Sequence, residues 1–274
     1  MTGSLDAARY ELALANRIIA HEGVLDGFGH VSMRHPEHPD RYLLARSRSP
    51  ELIEPSDLLE FTLDSEPVVP PEGEMYGERV IHGCIYQARP DVNAVCHHHS
   101  PSVLPFCVTG IALEPVFHMG PVMGQTVPFW DSRDDFGDTD LMVVRPEEGR
   151  SLAKALGPNW MVLMRRHGAT VAGRTLRELV FRTIYSTMNA EIQLRSMTVG
   201  TIGALSTVER QRSEPRQLSP RPMARAWEYW TTRLRKSGEL PPPAKSRRAK
   251  PAKAKSSTPG RRPKKRAIGA RRSR

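Results

Sequence analysis

Cysteine is nearly absent: Cys84, Cys96 and Cys107 are the three in 274 residues. So few, and an odd number, build no disulfide framework and point to a reducing compartment. Long apolar runs are missing too, since no stretch approaches the roughly 18 residues that a membrane helix needs. The opening segment, MTGSLDAARYELA, has no apolar run and no lysine or arginine before Arg9. It reads as the start of an amphipathic helix and not as a signal peptide. These absences lead to the expectation of a soluble, cytoplasmic protein with no membrane partner.

Acidic residues are scarce only at one end. The formal net charge is +10, but 15 of the 40 lysines and arginines, and only one of the 30 acids (Glu239), lie at 236–274. That leaves 25 basic against 29 acidic residues in 1–235. A basic body would suggest nucleic acid; a mildly acidic body with a basic appendage suggests an ordinary enzyme. The expected organisation is one domain over 1–235 and a disordered Lys/Arg/Pro/Ala tail over 236–274, too poor in apolar residues to offset ordering entropy. The tail has no aromatic residue to stack on bases, and weak, non-specific polyanion binding is the role it offers.

Periodicity supplies the elements. Apolar residues at helical spacing predict helices over 6–22, 78–89 and 145–157, the last with a glycine stop. Thr175 and Glu178 stand in capping-box positions ahead of the longest helical pattern. AVCHHHSP reads as a strand leaving the core, and NWMVLMRRHGATVAG as two buried strands with a turn at His167–Gly168. The segments 70–77 and 213–222 are rich in breakers and read as loops; a terminal helix follows over 224–236.

On a strand, alternation puts His97 and His99 on one face and His98 on the other. An H-x-H pair offers two ligands, and a catalytic metal wants a third and an open position. His167, one polar residue between two apolar strands, is the candidate. Glu78, nineteen residues before His97, opens the preceding helix, which folds back toward the strand. Spacing alone leaves two readings open: a metal site, or a surface His triplet with a turn histidine and a glutamate that complements a helix dipole.

Glu78, His97, His99 and His167, with IYQARPDVNAV between and RRHGATVAG after, resemble the class II aldolase/adducin family over about residues 8–205. The resemblance implies an α/β fold, a three-layer α/β/α domain around a central, mostly antiparallel mixed sheet, and a homotetramer with sites between subunits. It implies one divalent metal ion per subunit held by His97, His99 and His167, with Glu78 as acid/base and His98 outside the ligand set. Zinc suits three histidines best, with Mn2+, Co2+, Mg2+ or Fe2+ as alternatives.

Sugar-phosphate members of the family hold a phosphate with a Gly-Asn pair and a Ser-Ser pair. Here Gly29-His30 and Tyr76-Gly77 stand there, which argues against a phosphorylated substrate. Arg46 and Arg48 would instead form a fork for a carboxylate. His30, Tyr76 and His118 are candidate contacts for a planar, oxygenated substrate, and Tyr229 is a candidate contributor from a neighbouring subunit. With WDSRDDFGDTDLMV, these features resemble the decarboxylase branch, which acts on hydroxy-carboxymuconic semialdehydes and dihydroxyphthalates in aromatic degradation. The expectation is therefore a metal-dependent decarboxylase of a small hydroxy or keto acid. The alternatives are an aldolase on a non-phosphorylated hydroxy-keto acid and a non-catalytic adducin-like module.

Overall fold

The computed structural model describes residues 2–243, so all but the first eight positions of the expected tail lie outside the described residues. Helix α1 (Thr2–His21) buries Leu12, Ala15, Ile18 and Ile19 at spacings of three and four, and Gly23, at φ +72°, turns the chain out of it. Strands β1 (His30–Arg34), β2 (Arg41–Ala45) and β3 (Leu58–Thr62) follow as an antiparallel meander. Helix α2 (Val80–Ala88) leads to β4 (Ala94–His98), which returns to pair with β1. Next come α3 (Leu104–Thr109), β5 (Phe129–Trp130), α4 (Arg133–Phe136), α5 (Pro146–Leu156), β6 (Met161–Met164) and β7 (Gly168–Gly173). The chain continues through α6 (Leu176–Met197), α7 (Thr207–Gln217) and α8 (Pro220–Ser237).

The seven strands lie in the order β3-β2-β1-β4-β7-β6-β5, and every pairing is antiparallel except β5 with β6. Register decides which side chains meet. His30 stands opposite His97 and Ser32 opposite Val95, so all four share one sheet face. Helix α2, crossed by α5, covers that face. The opposite face, which carries Cys96 beside Thr183, is covered by α6 with α1 and α8. This is the expected three-layer α/β/α arrangement. Strands β4, β6 and β7 are buried along their whole length, as strands sandwiched on both sides must be.

Three expectations are corrected. The breaker-rich segment 213–222 is not a loop. Ser206 and Glu209 cap α7 reciprocally, and the helix runs on to Gln217 with Pro215 inside it. Helix α7 is solvent-facing, so the carbonyl that Pro215 leaves free can meet water. Glu214 also ties it to Gln125 (3.0 Å) and to the fully buried Arg182 (3.2 Å). Pro220 then opens α8, a position proline favours. The cap at Thr175 is half formed: its hydroxyl accepts the Glu178 N–H, but the Glu178 carboxylate is taken by Arg182 at 2.8 Å. Finally, order runs past residue 235. Helix α8 ends at Ser237, and Glu239 docks on α1, its carbonyl accepting from Arg17 (2.9 Å) and its carboxylate meeting His21 Nδ1 (2.8 Å). Among the described residues, no helix is long and apolar enough to cross a membrane.

Candidate metal centre

Strand alternation carries His97 and His99 to the α2 side of β4 and drives His98 into the opposite layer. His98 is fully buried there, its Nδ1 accepting the Ser100 N–H at 3.3 Å, and burial pushes its imidazole down to about 3. His167 arrives from the tight turn between β6 and β7. Gly168 makes that approach feasible, because a Cβ there would lie 2.3 Å from the His98 carbonyl oxygen. Glu78 sits in a single 3-10 turn (Gly77–Arg79) just before α2, at φ −84°, ψ 17°, a bridge-region backbone often found at active sites.

These four side chains meet. His97 Nε2 lies 3.0 Å from His99 Nε2 and 3.2 Å from His167 Nε2. Glu78 reaches His97 Nε2 with Oε2 (3.6 Å) and His167 Nε2 with Oε1 (3.4 Å). One donor atom from each falls within 4.8 Å of the others. The surroundings fix the tautomers of two rings. His97 Nδ1 faces Thr170 Oγ1 at 3.2 Å, while that hydroxyl turns to Met164 Sδ (3.5 Å), so Thr170 accepts from His97. His99 Nδ1 faces Asp26 Oδ1 at 3.5 Å, and a carboxylate only accepts. Both protons thus sit on Nδ1 and both Nε2 lone pairs converge. Lone pairs that close repel unless a cation lies among them, so the donor set fits a divalent metal.

Charge follows the same logic. Burial, reinforced by His167 and His30, holds His97 well below the ordinary imidazole range and therefore neutral. Burial alone would raise Glu78, but His167, His30 and the Val143 N–H on its Oε1 (3.0 Å) together hold it below the usual carboxylate range. A neutral His97 beside an anionic glutamate is what a divalent cation needs.

The other candidates fall at different distances from this cluster. His30 is buried with its ring 5.2 Å from that of His97 and 4.7 Å from that of Tyr76. Tyr76 donates its hydroxyl to the Arg48 carbonyl. Arg46 and Arg48 do not stand as a free fork: Asp57 takes both, Oδ1 from Arg46 Nε (2.8 Å) and Oδ2 from Arg48 Nη1 (2.5 Å). Glu54 also meets Arg48 at 3.9 Å, so two carboxylates balance the two guanidinium groups beside Tyr76. His118 is exposed, its carbonyl accepting from Ser213 (2.5 Å), and it is not among the cluster's contacts. Tyr229 is 57 % exposed on α8 under Arg233 and equally apart from the cluster within one chain. Sequence reasoning missed Asp26, Thr170 and Asp57. Asp26 had a signal, since an Asp ahead of Gly-Phe-Gly is an Asx-turn residue, and its Oδ1 does accept from Phe28 (2.9 Å) and Gly29 (3.0 Å).

Comparison with known proteins bears on the family and the fold. The profile of the Class II Aldolase and Adducin N-terminal domain matches residues 10–194. Over 243 residues the chain is 34% identical to decarboxylase tropJ of Talaromyces stipitatus, covering 81% of this chain and 91% of that protein. It is 31% identical over 215 residues to a 3,4-dihydroxyphthalate decarboxylase of Arthrobacter keyseri, covering 72% and 81%. An aldolase II superfamily protein from Pseudomonas syringae superposes with a TM-score of 0.72 at 22% identity, covering 86% of this chain and 94% of that one.

Proposed function

The chain belongs to the class II aldolase and adducin family, and from that premise we propose that it is a metal-dependent decarboxylase of a non-phosphorylated hydroxy or keto carboxylic acid. The observation that carries this reading is the convergence of Glu78, His97, His99 and His167, beside which His30 and Tyr76 stand where a phosphate cradle would need small neutral donors. The likeness to tropJ and to the dihydroxyphthalate decarboxylase supports the reaction class.

His97, His99 and His167 would hold the ion, with zinc our first choice for a three-histidine set. Bound there, a divalent cation supplies electrostatic stabilisation for the charge left on the substrate when carbon dioxide departs. The chain's own residues handle the proton. Glu78 is ionised at rest and anchored through Oε1 on Val143, so it can take the substrate's hydroxyl proton on binding. Glu78 then passes that proton to the carbon that bears the departing carboxylate, which turns the neighbouring hydroxyl carbon into a carbonyl; the bond to the carboxylate breaks, its electron pair flows into that carbonyl as an enolate, and solvent restores the hydroxyl proton.

The same reading makes the protein a cytoplasmic homotetramer acting in the breakdown of aromatic acids. Phe28, 78 % exposed and two residues from Asp26, is apolar surface such an assembly would cover. Product analysis with 3,4-dihydroxyphthalate tests the reaction. Carbon dioxide with dihydroxybenzoate is expected; an aldehyde fragment from a hydroxy-keto acid, with no carbon dioxide from any acid tried, would make the enzyme an aldolase instead.

A further inference from the structure

Behind His30 lies a line of polar side chains that the proton chemistry above does not use. His30 and Ser32 are two apart on β1 and share the face under α2; His82 and Tyr86 are four apart on α2 and share the face toward β1. The two pairs interdigitate into one chain: His30 Nδ1 to His82 Nε2 at 2.6 Å, His82 Nδ1 to Ser32 Oγ at 2.6 Å, Ser32 Oγ to Tyr86 hydroxyl at 2.7 Å. All four residues are at most 2 % exposed.

The polarity of this chain is determined at its far end. Among the described residues the Tyr86 hydroxyl has one hydrogen-bond partner, Ser32. The backbone group that bears on it is the Val95 N–H, itself a donor. Tyr86 must therefore donate to Ser32, because its proton has no other acceptor and a buried unmade donor is costly. Ser32 in turn donates to His82 Nδ1. A neutral imidazole has one proton, so His82 carries it on Nε2 and donates to His30 Nδ1. His30 is left with its proton on Nε2, an atom with no hydrogen-bond partner among the described residues, on a ring leaning against His97 and Tyr76.

We infer that Tyr86, Ser32 and His82 form a one-way hydrogen-bond chain that locks His30 as its Nε2–H tautomer, so that His30 presents a fixed, neutral donor to an anionic oxygen of the acid bound at the metal centre. This rests on the reading of that centre as a site for a carboxylic acid. Ser32, His82 and Tyr86 are positioning residues; His30 is the one that touches substrate. A neutral donor adds no charge beside the cation, and a locked tautomer keeps the bond from being lost to a ring flip or proton shift.

The test uses the zinc-loaded full chain with 15N-labelled histidine. Long-range 1H–15N spectra, assigned with His30→Gln and His82→Gln, are expected to show both rings protonated on Nε2, and Ser32→Ala and Tyr86→Phe to populate the other tautomer of His82 and His30. A His30 proton on Nδ1 in the wild type, or spectra unmoved in both variants, would overturn the lock. Binding of 3,4-dihydroxybenzoate then tests the donor. His30→Gln, whose amide nitrogen can replace Nε2–H, should bind within a few-fold of wild type, and His30→Leu about 10- to 100-fold more weakly, the range for a lost hydrogen bond to a charged group. Equal affinity of His30→Leu and wild type would overturn the donor role. If the wild type itself does not bind the probe while His30 and His82 show the expected tautomers, the carboxylic-acid reading fails and the lock stands.

Discussion

Glu78 and Asp26 show how differently two carboxylates can serve one cluster. Glu78 is buried, carries Val143 on one oxygen and faces two imidazoles, and the role proposed for it is proton transfer. Glu78→Gln keeps the shape and the Val143 contact and removes the titrating group. Activity should fall about 10^2- to 10^4-fold while zinc still binds one per chain, as read by turnover and by metal analysis of the same sample. Full activity in Glu78→Gln would remove the glutamate from the mechanism. Asp26 lies behind His99 and holds its proton on Nδ1. Asp26→Ala should weaken zinc by about 10- to 100-fold, the usual cost of losing the group behind a ligating histidine, measured by chelator competition. Unchanged affinity would mean that the 3.5 Å contact does not orient the ring.

Two elements, β4 and α2, each bury an imidazole in a layer with no solvent. His98 on β4 and His82 on α2 are pushed down to about 3 by burial, against about 6.5 in an unfolded chain. The sign follows: above about 6.5 both states are unprotonated, and between about 6.5 and about 3 only the unfolded state takes up the proton. Stability is therefore full at neutral pH and lost as pH falls through that window, by roughly 2 kcal/mol per histidine at about pH 5. Urea unfolding of the zinc-free protein should show its midpoint dropping from about pH 7 to about pH 5; a flat or rising midpoint would contradict the buried, neutral state of both rings. The elements differ in how legible they were. β4 announces itself, because three histidines after an apolar run can be sorted by alternation alone, and the Glu78 spacing needed only a helix folding back on a strand. The chain from His30 to Tyr86 does not announce itself. A His and a Tyr four apart on an apolar helix look like core, and only the register of β1 against β4 under α2 reveals the partners. Helix α7 was hidden for the opposite reason: Pro215 reads as a breaker, and the ties from Glu214 to Arg182 and Gln125 that hold the helix against it are long-range.

At the scale of the whole molecule, the body closes on itself through its last described segment, where Glu239 bridges to Arg17 and His21 on α1. Truncation after Pro243 should leave melting temperature and turnover unchanged. Truncation after Arg235 removes that bridge and the last residues of α8, and should lower the melting temperature by roughly 2–4 °C with turnover intact, read by calorimetry and initial rates. A large fall in kcat for either form would give the C-terminal segment a part in the site. In the proposed reaction one metal centre, built from Glu78, His97, His99 and His167, decarboxylates a small aromatic or unsaturated hydroxy acid. The most direct measurement is carbon dioxide release from 3,4-dihydroxyphthalate and hydroxy-carboxymuconic semialdehydes by stripped, zinc-reconstituted and His97→Ala protein side by side. Release is expected to appear with zinc and to vanish in both the stripped and the His97→Ala forms. Release that persists in His97→Ala, or none from zinc-loaded wild type binding one ion per chain, would contradict it.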